Sequence, residues 1–497
     1  MSAPDAVVVG AGPNGLAAAV VLASAGLSVN VYEAAPAAGG GCRTAELTLP
    51  GYRHDVCSAV HPLAVASPFF RWFDLEARGV RLLQPSVAYA HPLDGGRAGA
   101  VTRSIAETAA MFGQDGPAYE RTFGPLVQQA DAVVGAVLSS AREMPAKLLP
   151  AARFAALGVR SASSLASRFQ TPEAAGTFAG VAAHSMRRLD RSGTAGFGLL
   201  LGFLAHSAGW PIVEGGSEAI TGALVRGVEA GGGSVETSHP VRDLSELPDA
   251  RALLLDVSVR QLASLLAGRL PSNYERALHK FRYGPGVCKV DWALREAVPW
   301  QAEICREAGT VHLGGTFPEI ASAEAEVVAG RHPEHPYVVC AQPGIVDRSR
   351  APAGRQTLWT YCHVPSGSER DMSEAIAAQL ERFAPGFRDL VVARSVMTAA
   401  EMESYNQNYI GGDIGGGVQD LWQTIFRPAM RWSPYRVPVP GVYLCSSSSP
   451  PGPGVHGRCG ELAALSALKD LFGVRERPRS PVGLPVVPGV RPEGRGP

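Results

Sequence analysis

The clearest pattern of apolar and polar positions lies in the first 33 residues of the chain. A continuous apolar run, DAVVV, leads into the turn GAGPNG, an Ala-, Leu- and Val-rich segment that ends near Ala25, and a second apolar run, SVNVYE. Short apolar runs bounded by turn residues indicate buried strands, and the longer run between them indicates a helix. The chain is therefore predicted to begin with a strand, a glycine turn, a helix and a strand, the context in which G-x-G-x-x-G indicates a dinucleotide site.

The three glycines of this turn have separate roles in such a site. Gly10 allows the tight turn, Gly12 lets the backbone approach a pyrophosphate, and Gly15 lets the helix pack closely on the strand. The N-terminus of the helix offers free N–H groups and partial positive charge to the phosphates. Glu33 ends the second strand, where an acid accepts hydrogen bonds from ribose hydroxyls and disfavours a 2′-phosphate.

A second G-x-G-x-x-G lies near the C-terminus, over 452–457. The strand GVYLC precedes it and the helix RCGELAALSALKDLFG follows, but no further apolar strand ending in an acid comes next. Because this half unit cannot form its own ribose site, we interpret it as a closing loop whose N–H groups face the other end of the same nucleotide. One nucleotide is predicted, bound from both ends of the chain, and the Pro-, Arg- and Gly-rich residues 476–497 are predicted to be a disordered tail.

A glycine-rich segment, AAGGGCRTAEL, follows the second predicted strand and supports the first site. It contains Gly40, Gly41, Cys42, Arg43 and Thr44. The cation of Arg43 is placed to reach a phosphate near the first turn. The alternative is a flexible loop with a solvated arginine.

The segment Trp210–Ser258 is predicted to complete the nucleotide-binding sheet. A Gly-Gly turn starts a helix, GGSVETSHPVRDL is predicted to form a pair of strands with Val241 against the adenine, and ALLLDV returns a strand to the sheet. The alternative is another αβ unit of the sheet. The segment has no G-x-G-x-x-G, so a second, nicotinamide-binding domain is not predicted.

The remaining segments are predicted to form a substrate domain. The runs CKVDWAL, YVVCAQP and TLWTYCHV indicate an antiparallel sheet, with helices such as DMSEAIAAQLERFA outside it. Five aromatic residues either line a cavity or belong to the core: Trp292, Trp300, Tyr361, Tyr405 and Tyr409.

The predicted fold class is α/β, with two domains. A discontinuous Rossmann-type nucleotide-binding domain, a βαβ unit with a C-terminal closing loop, is expected over 1–65, 206–265 and 426–475. An α+β substrate domain with an antiparallel sheet is expected over 66–205 and 266–425.

Charge and cysteine content exclude several classes of partner and site. The 497 residues include 45 basic and 45 acidic side chains, so no basic excess favours nucleic-acid binding. The eight cysteines form no C-x-x-C pair, and we expect reduced thiols in a cytoplasmic protein. The spacing of His54, Cys57 and His61 suits a metal, but a second ligand cluster is not found and no metal is predicted.

Two segments bear on the membrane. No basic segment precedes the first apolar run, so a cleaved signal is not predicted. The stretch Thr194–Val213 has 20 residues without Lys, Arg, Asp or Glu, but its four glycines, His206 and Pro211 disfavour a spanning helix. We interpret it as a core helix below the substrate cavity; the alternative is a peripheral, membrane-dipping surface.

The two ends of the chain resemble a known family. DAVVVGAGPNGLAAAVVLASAGLSVNVYEAAPAAGGGCRT and VPVPGVYLCSSSSPPGPGVHGRCGELAALSAL resemble the flavoprotein superfamily of phytoene desaturases, carotenoid isomerases and amine oxidases. Within it, the resemblance is to the branch named pyridine nucleotide-disulfide oxidoreductase domain-containing protein 2, and YGPGVCKVDWAL, VHLGGTF and LWTYCHVP extend it to the middle of the chain.

The resemblance implies bound FAD, with the ADP half on the N-terminal unit and the flavin against the C-terminal loop. It assigns the ADP and pyrophosphate to Gly10, Gly12, Pro13, Asn14, Gly15, Glu33, Ala34, Gly40, Gly41, Cys42, Arg43, Thr44 and Val241. It assigns the ribityl and isoalloxazine end to Ser447, Gly454, Val455 and His456.

This sequence departs from the family in two ways. Amine oxidases carry an acid in the C-terminal loop where this chain has four serines, Ser446–Ser449, so hydroxyls or backbone are expected to contact the ribityl chain. The branch name mentions a disulfide, but this chain has no C-x-x-C to form one.

The resemblance predicts an oxidoreductase that takes a hydride from an apolar substrate, for which a polyene and a lipid-like molecule are the candidates. His61 and His456 are the candidates for proton handling, and a structural role for each is the alternative. An isomerase without net redox, an amine oxidase-like enzyme and a non-catalytic FAD-stabilised partner protein are the other function classes. No acid is evident for an ammonium group, although Asp413 and Asp420 have no assigned place, and no oligomeric state is predicted.

Overall fold

The computed structural model describes residues 3–139 and 147–480, so residues 481–497 of the predicted tail lie outside the described part. Its strands are β1 Ala6–Val9, β2 Val29–Tyr32, β3 Thr44–Ala45, β4 His54–Asp55, β5 Leu82–Leu83, β6 Val87–Leu93, β7 Arg97–Thr102, β8 Ile212–Val213, β9 Ser234–Glu236, β10 Ala252–Leu255, β11 Gly286–Leu294, β12 Ala308–Leu313, β13 Val338–Ala341, β14 Gln356–Val364, β15 Val391–Met397 and β16 Val442–Leu444.

The helices are α1 Pro13–Ser24, α2 Pro62–Ala66, α3 Pro68–Phe73, α4 Ile105–Met111, α5 Gly116–Gln128, α6 Ala130–Val137, α7 Leu148–Gly158, α8 Ala162–Ala166, α9 Pro172–Ala183, α10 Thr194–Ser207, α11 Glu218–Ala230, α12 Val259–Leu265, α13 Ser272–His279, α14 Phe317–Val328, α15 Ser373–Phe383, α16 Phe387–Leu390, α17 Ala399–Tyr405, α18 Leu421–Phe426 and α19 Arg458–Leu471. Short 3-10 turns connect several of them.

A five-stranded parallel sheet has the strand order β16-β10-β1-β2-β9. Its central strands are buried on both faces, which explains why DAVVV and ALLLDV are continuous apolar runs. The helices α1, α11 and α19 pack on one face, and α12 and α13 lie on the other. The predicted strand-turn-helix-strand unit at the N-terminus is confirmed as β1, α1 and β2.

A second sheet has seven strands in the order β15-β11-β14-β13-β12-β6-β7. All its pairs are antiparallel except the pair of β6 and β12. The predicted strands CKVDWAL, YVVCAQP and TLWTYCHV are β11, β13 and β14, so the antiparallel sheet and the α/β fold class are confirmed. The strands of the parallel sheet all fall within the ranges predicted for the nucleotide-binding domain, and those of the second sheet fall within the substrate ranges.

The two faces of the second sheet bury different aromatic residues. Trp292 and Trp300 are fully buried in the core below α15, so these two are core residues. Tyr361 and Tyr409 lie in the core on the opposite face, toward α5, α9 and α10. Tyr405 instead borders a cavity at the edge of the parallel sheet.

The uncharged stretch Thr194–Val213 forms α10 and β8. Leu199, Phe203 and Leu204 are fully buried, and α10 packs against α5, α7 and α9. The segment is therefore a core helix, as the first interpretation predicts. Among the residues that the structure describes, no helix combines the length and the apolar character needed to cross a bilayer.

Two predictions of local structure are wrong. Between 237 and 251 the chain has a 3-10 turn and no second strand, because β9 pairs in parallel with β2 rather than with its own continuation. The tail also begins later than residue 476. The Trp72 indole N–H donates to Pro478 O at 3.1 Å, and the Arg477 guanidinium lies 4.7 Å from the centre of the same ring.

Candidate functional site

The two G-x-G-x-x-G turns lie at the same edge of the parallel sheet. The first turn follows β1 and the second follows β16, and because both strands run in the same direction their carboxyl ends meet there. The helices after the turns pack closely: a Cβ on Gly460 of α19 would lie 1.8 Å from Asn14 O of α1. The N-termini of α1 and α19 therefore lie side by side, as the single-nucleotide prediction requires.

The first turn leaves no room for side chains. A Cβ on Gly15 would lie 2.0 Å from Gly10 O, and Cβ atoms on Gly10 and Gly12 would each lie 2.8 Å from an Asp256 oxygen. Gly10 also has φ 98°, a conformation that L-residues rarely adopt. The three glycines thus bring the backbone, α1 and the end of β10 together.

Two carboxylates accept hydrogen bonds from this turn. Glu33 Oε2 accepts from Ala11 N and Asp256 Oδ2 accepts from Gly15 N, both at 2.8 Å. The prediction that the N–H groups of the turn are free is therefore wrong for these two. Negative groups are favourable at a helix N-terminus, so at these two N–H groups the acids take the place that the sequence assigned to phosphate.

Asp256 is a site residue that the sequence analysis missed. Burial, as the main cause, and the nearby Glu33 charge raise the pKa of Asp256 to about 7, while the Gly15 N–H opposes the shift. The signal was present in ALLLDVS, where an acid directly follows a strand buried beside the glycine turn. Such an acid reaches the same sheet edge as the turn.

A cavity of about 540 Å³ opens at this edge. Arg242 and Tyr405 border it with Asp256. The structure brings seven of the predicted ADP residues into its lining: Gly10, Gly12, Glu33, Ala34, Gly40, Arg43 and Val241. Val241 lies at the cavity wall. Its contact with the adenine stays a prediction.

The glycine-rich segment after β2 packs on the first turn. Gly39 N donates to Ala11 O at 2.8 Å, and a Cβ on Gly40 would lie 3.1 Å from Gly12 Cα. Arg43 is held at the cavity by Glu33, at 3.2 Å, and lies over the Tyr405 ring. It is neither solvated nor free, and it stands beside the turn as predicted.

Three residues of this segment face away from the cavity. The Thr44 hydroxyl donates to Asp55 Oδ1 at 2.9 Å, and Thr44 fills the space beside Gly216. Cys42 is fully buried, and burial raises the pKa of its thiol well above the usual range. A Cβ on Gly41 would lie 2.5 Å from the Tyr409 hydroxyl. None of the three is in the cavity lining, so the structure does not place them against an ADP group.

The C-terminal loop presents its backbone toward α2. Gly454 is exposed with φ 117°, Val455 is half-buried, and a Cβ on Gly454 would lie 2.6 Å from the Leu63 side chain. Ser447 O accepts from the buried Arg427 at 2.9 Å, and Gly416 packs on the Ser447 side chain. The glycine-rich run 409–417 therefore contacts this loop.

His456 has both ring nitrogens engaged within the loop. Nδ1 accepts from Arg458 N at 3.0 Å, so Nε2 carries the proton and donates to Gly452 O at 3.1 Å. Burial lowers the pKa of His456 to about 4. This geometry favours the structural role, in which His456 holds the start of α19.

His61 differs from His456 in having an unpartnered atom. Its Nε2 is buried without a hydrogen-bond partner in the described part of the chain, and Nδ1 lies 3.5 Å from Ser58 Oγ. Burial lowers the pKa of His61 to about 4, so the ring is neutral at physiological pH. A neutral ring with one open nitrogen remains suited to a hydrogen bond with a bound group.

The two acids without an assigned place are both structural. Asp413 is buried and accepts from the N–H groups of Gly284, Gly415 and Gly417 at 2.7 to 2.9 Å, which holds the glycine-rich run in place. Asp420 accepts from Gln423 N as the N-cap of α18 and pairs with Arg282. Neither carboxylate is available to an ammonium group.

A buried charge network behind residues 57–61 was also missed. Arg350 pairs with Asp55 at 2.9 Å and with Asp347 at 2.7 Å, and Lys289 pairs with Asp291. Burial raises the pKa of Asp291 to about 6, with the Lys289 charge opposing the shift. Lys289 and Asp291 lie in β11 and Asp55 lies in β4, whereas Asp347 and Arg350 lie at a 3-10 turn, and the sequence alone did not bring these separate segments together.

Comparisons with known proteins agree with this architecture. The sequence profile of the NAD(P)-binding Rossmann-like domain matches residues 8–74, which contain the end of β1 and all of α1 and β2. Pyridine nucleotide-disulfide oxidoreductase domain-containing protein 2 of Mus musculus is 25% identical, with 94% of each chain covered. The 4,4′-diapolycopen-4-al dehydrogenase of Metabacillus indicus is 31% identical over 132 residues, which cover 25% of this chain and 26% of that one.

Among solved structures, the chain is similar to cyclohexylamine oxidase from Brevibacterium oxydans. The TM-score is 0.58 at 15% identity, and the match covers 95% of this chain and 100% of that one. At this identity the likeness establishes the shared fold and leaves the substrate open.

Proposed function

We propose that this protein is an FAD-dependent oxidoreductase that takes a hydride from an elongated, apolar substrate. The observation that carries the proposal is the meeting of two glycine turns at one edge of one sheet, beside a cavity lined by Glu33. One cavity at the first turn, with the N-terminus of α19 packed beside that of α1, suits a single dinucleotide with groups at both ends. The likeness to proteins with oxidoreductase names supports the same reaction class.

The residues at this edge fit FAD. The glycines of the first turn let the backbone approach closely where Cβ atoms would clash with neighbouring atoms. Arg43 and Glu33 line the cavity beside this turn. Asn14 Oδ1 and His61 Nε2 are buried without hydrogen-bond partners in the described residues. Because buried polar atoms are normally paired, these two are open to a bound group.

FAD, when bound, would supply the hydride acceptor, so the protein needs no nucleophile of its own. The work of the chain is to hold the substrate's C–H bond in place and to exclude water. Half-buried Cys57, Val60 and Leu63 pack on the core around Tyr361 and Tyr409, and Leu63 also lies beside the exposed Gly454 of the C-terminal loop. His61 is the residue that we expect to hold a proton or a substrate oxygen there.

An apolar substrate is supported by what surrounds this loop. Asp413 and Asp420 are both engaged by backbone N–H groups or by arginine, so neither is free to bind an amine. The short similarity to a diapolycopenal dehydrogenase points the same way. Amine oxidation is the second candidate, because cyclohexylamine oxidase shares the fold.

Anaerobic mixing of the purified protein with a polyene aldehyde and, separately, with cyclohexylamine tests the proposal. We expect flavin absorbance in the purified protein and bleaching of that absorbance by the polyene alone. Bleaching by the amine alone would support the second candidate. Product formation only with prereduced FAD would indicate an isomerase, and protein that neither contains nor takes up FAD would refute the proposal.

A further inference from the structure

The segment 421–432 carries an unusual concentration of exposed apolar side chains. Trp422 is 61% exposed and Trp432 is 76% exposed. We call this set the α18 surface, and its members are Leu421, Trp422, Ile425, Met430 and Trp432. Exposed large apolar residues that stand close together mark contact sites, whereas single ones do not.

The α18 surface is continuous with a neighbouring element. Leu421 lies against Gly193, where a Cβ would approach it to 2.9 Å, and the Gly193 N–H donates to the carbonyl of the exposed Val159 at 3.0 Å. Trp422 packs on the Phe426 ring at 4.5 Å between centres, which holds the indole in place. Leu421 and Trp422 are thus held in place on the exposed side of α18.

Arginines surround this face. Arg187, Arg188, Arg191, Arg282 and Arg431 lie in the segments next to it, against the two acids Asp190 and Asp420. The two acids are already paired with Arg188, Arg191 and Arg282. Within the described residues, Arg187 and Arg431 make no ion pair with a carboxylate, so the rim carries excess positive charge.

We propose that the α18 surface docks on an anionic lipid bilayer. Tryptophan and aliphatic side chains insert into the boundary between head groups and acyl chains, and surrounding arginines attract anionic head groups. A peripheral contact of this kind needs no spanning helix. The contact is thereby moved from Thr194–Val213, which is core, to a different part of the chain.

The surface also has a link to the C-terminal glycine turn. Arg427, at the end of α18, is buried and donates to Ser447 O at 2.9 Å and to Gln419 Oε1 at 3.0 Å. The docked face therefore lies next to the loop that we assign to the flavin end. An apolar substrate leaving the bilayer would reach that loop directly; this last step rests on the proposed function, whereas the docking does not.

Cosedimentation of the full-length protein, as purified, with phosphatidylcholine vesicles tests the docking, with and without phosphatidylserine. We expect binding to the anionic vesicles, and a roughly tenfold or greater loss in the double variant Trp422→Ser, Ile425→Ser. Arg187→Gln with Arg431→Gln is expected to remove the preference for phosphatidylserine. The control variant Val328→Ser, Val392→Ser changes two exposed residues elsewhere and is expected to bind like the parent.

Several outcomes would overturn the docking. Vesicle binding that is unchanged in the Trp422→Ser, Ile425→Ser variant excludes the surface. Loss of a dimer in that variant, measured by sedimentation without vesicles, assigns the surface to a second copy of the chain. Vesicle binding that appears only after residues 481–497 are removed would show that this segment, and not a bilayer, covers the α18 surface in the full-length protein. Unchanged flavin content and melting temperature in each variant separate these outcomes from misfolding and from failure of the proposed function.

Discussion

The two glycine turns share six letters of pattern but differ in what their backbone binds. In the first turn, the acids Glu33 and Asp256 accept from the N–H groups of Ala11 and Gly15, and a cavity of about 540 Å³ opens beside them. In the second, His456 bonds within its own loop. The comparison teaches that the strands beside β1 determine the site at the first turn. Glu33 follows β2 and Asp256 follows β10, and both acids accept hydrogen bonds from this turn.

The helices after the two turns show the same contrast. α1 is almost wholly buried between the sheet, α11 and α19, and its N-terminus borders the cavity. α19 begins after a run of positive-φ glycines and ends its first turn with Glu461 paired to Arg458 at 2.6 Å. We therefore expect the first turn to determine nucleotide affinity and the second to position one end of the ligand.

The largest effect is expected from Gly15→Ala. The added Cβ would lie 2.0 Å from Gly10 O, so the turn and α1 must separate, which costs about 1–3 kcal/mol of unfolding free energy. We expect about 100-fold weaker FAD binding, since the phosphate-facing N–H groups move with the helix. Urea unfolding and the ratio of flavin to protein absorbance measure the two effects.

Two variants serve as comparisons for this change. Gly135→Ala in α6 meets no atom within 4 Å, and we expect it to stabilise the helix by about 1 kcal/mol without changing FAD binding. Gly454→Ala strains a positive φ of 117° and meets the Leu63 and His456 side chains, at 2.6 and 3.3 Å, but no backbone atom closer than 3.9 Å, so its loss of FAD should be smaller than that of Gly15→Ala. Equal losses in Gly15→Ala and Gly454→Ala would remove the distinction between the turns.

The two histidines are expected to separate catalysis from structure. His61→Phe removes the open nitrogen, and we expect flavin reduction to slow about 100-fold with flavin content retained. His456→Phe removes the acceptor for Arg458 N, and we expect lower flavin content and stability instead. Rapid-mixing absorbance gives the reduction rate. Full reduction rates in both variants would show that neither histidine handles a proton.

The pH dependence of FAD retention is expected to depend on Asp256. Its raised pKa means that the folded protein binds more protons than the unfolded chain between about pH 4 and 7, so stability falls as pH rises through that window and is constant above it. A pyrophosphate beside an ionised Asp256 is repelled, so FAD binding should weaken above pH 7, by at most about tenfold per pH unit.

Asp256→Asn tests this dependence because the amide keeps the size of the side chain. Glu33 is the charged neighbour, while the nearby thiols of Cys445 and Cys459 have pKa values raised by burial and stay neutral. We expect the variant to bind FAD with nearly the same affinity at pH 6 and pH 9, measured by flavin fluorescence. A parent-like pH slope in the variant would assign the dependence to another group.

The parts of this molecule that local pattern determines could be read from the sequence. The β1-α1-β2 unit, the strands β11, β13 and β14, and the position of Arg43 beside the turn all follow from short runs of residues. Asp256 was missed because it is 241 residues from Gly15 along the chain and meets it only through the parallel pairing of β1 with β10. The missing strand after β9 and the buried Arg350 network likewise depend on distant partners.

The smallest effect on the nucleotide is expected from Thr44→Val, since Thr44 faces Asp55 rather than the cavity. The variant loses the 2.9 Å hydrogen bond to Asp55 Oδ1, which still accepts from Ser217 N at 2.7 Å. We expect about 1 kcal/mol lower stability and FAD affinity within about twofold of the parent. Arg43→Gln is the matched comparison, because Arg43 lines the cavity and its loss should weaken FAD by about tenfold. Fluorescence titration and thermal melting measure both variants. If Thr44→Val weakens FAD as much as Arg43→Gln does, the contact that the family resemblance assigns to Thr44 is real, and the segment after Gly41 turns toward the nucleotide when it binds.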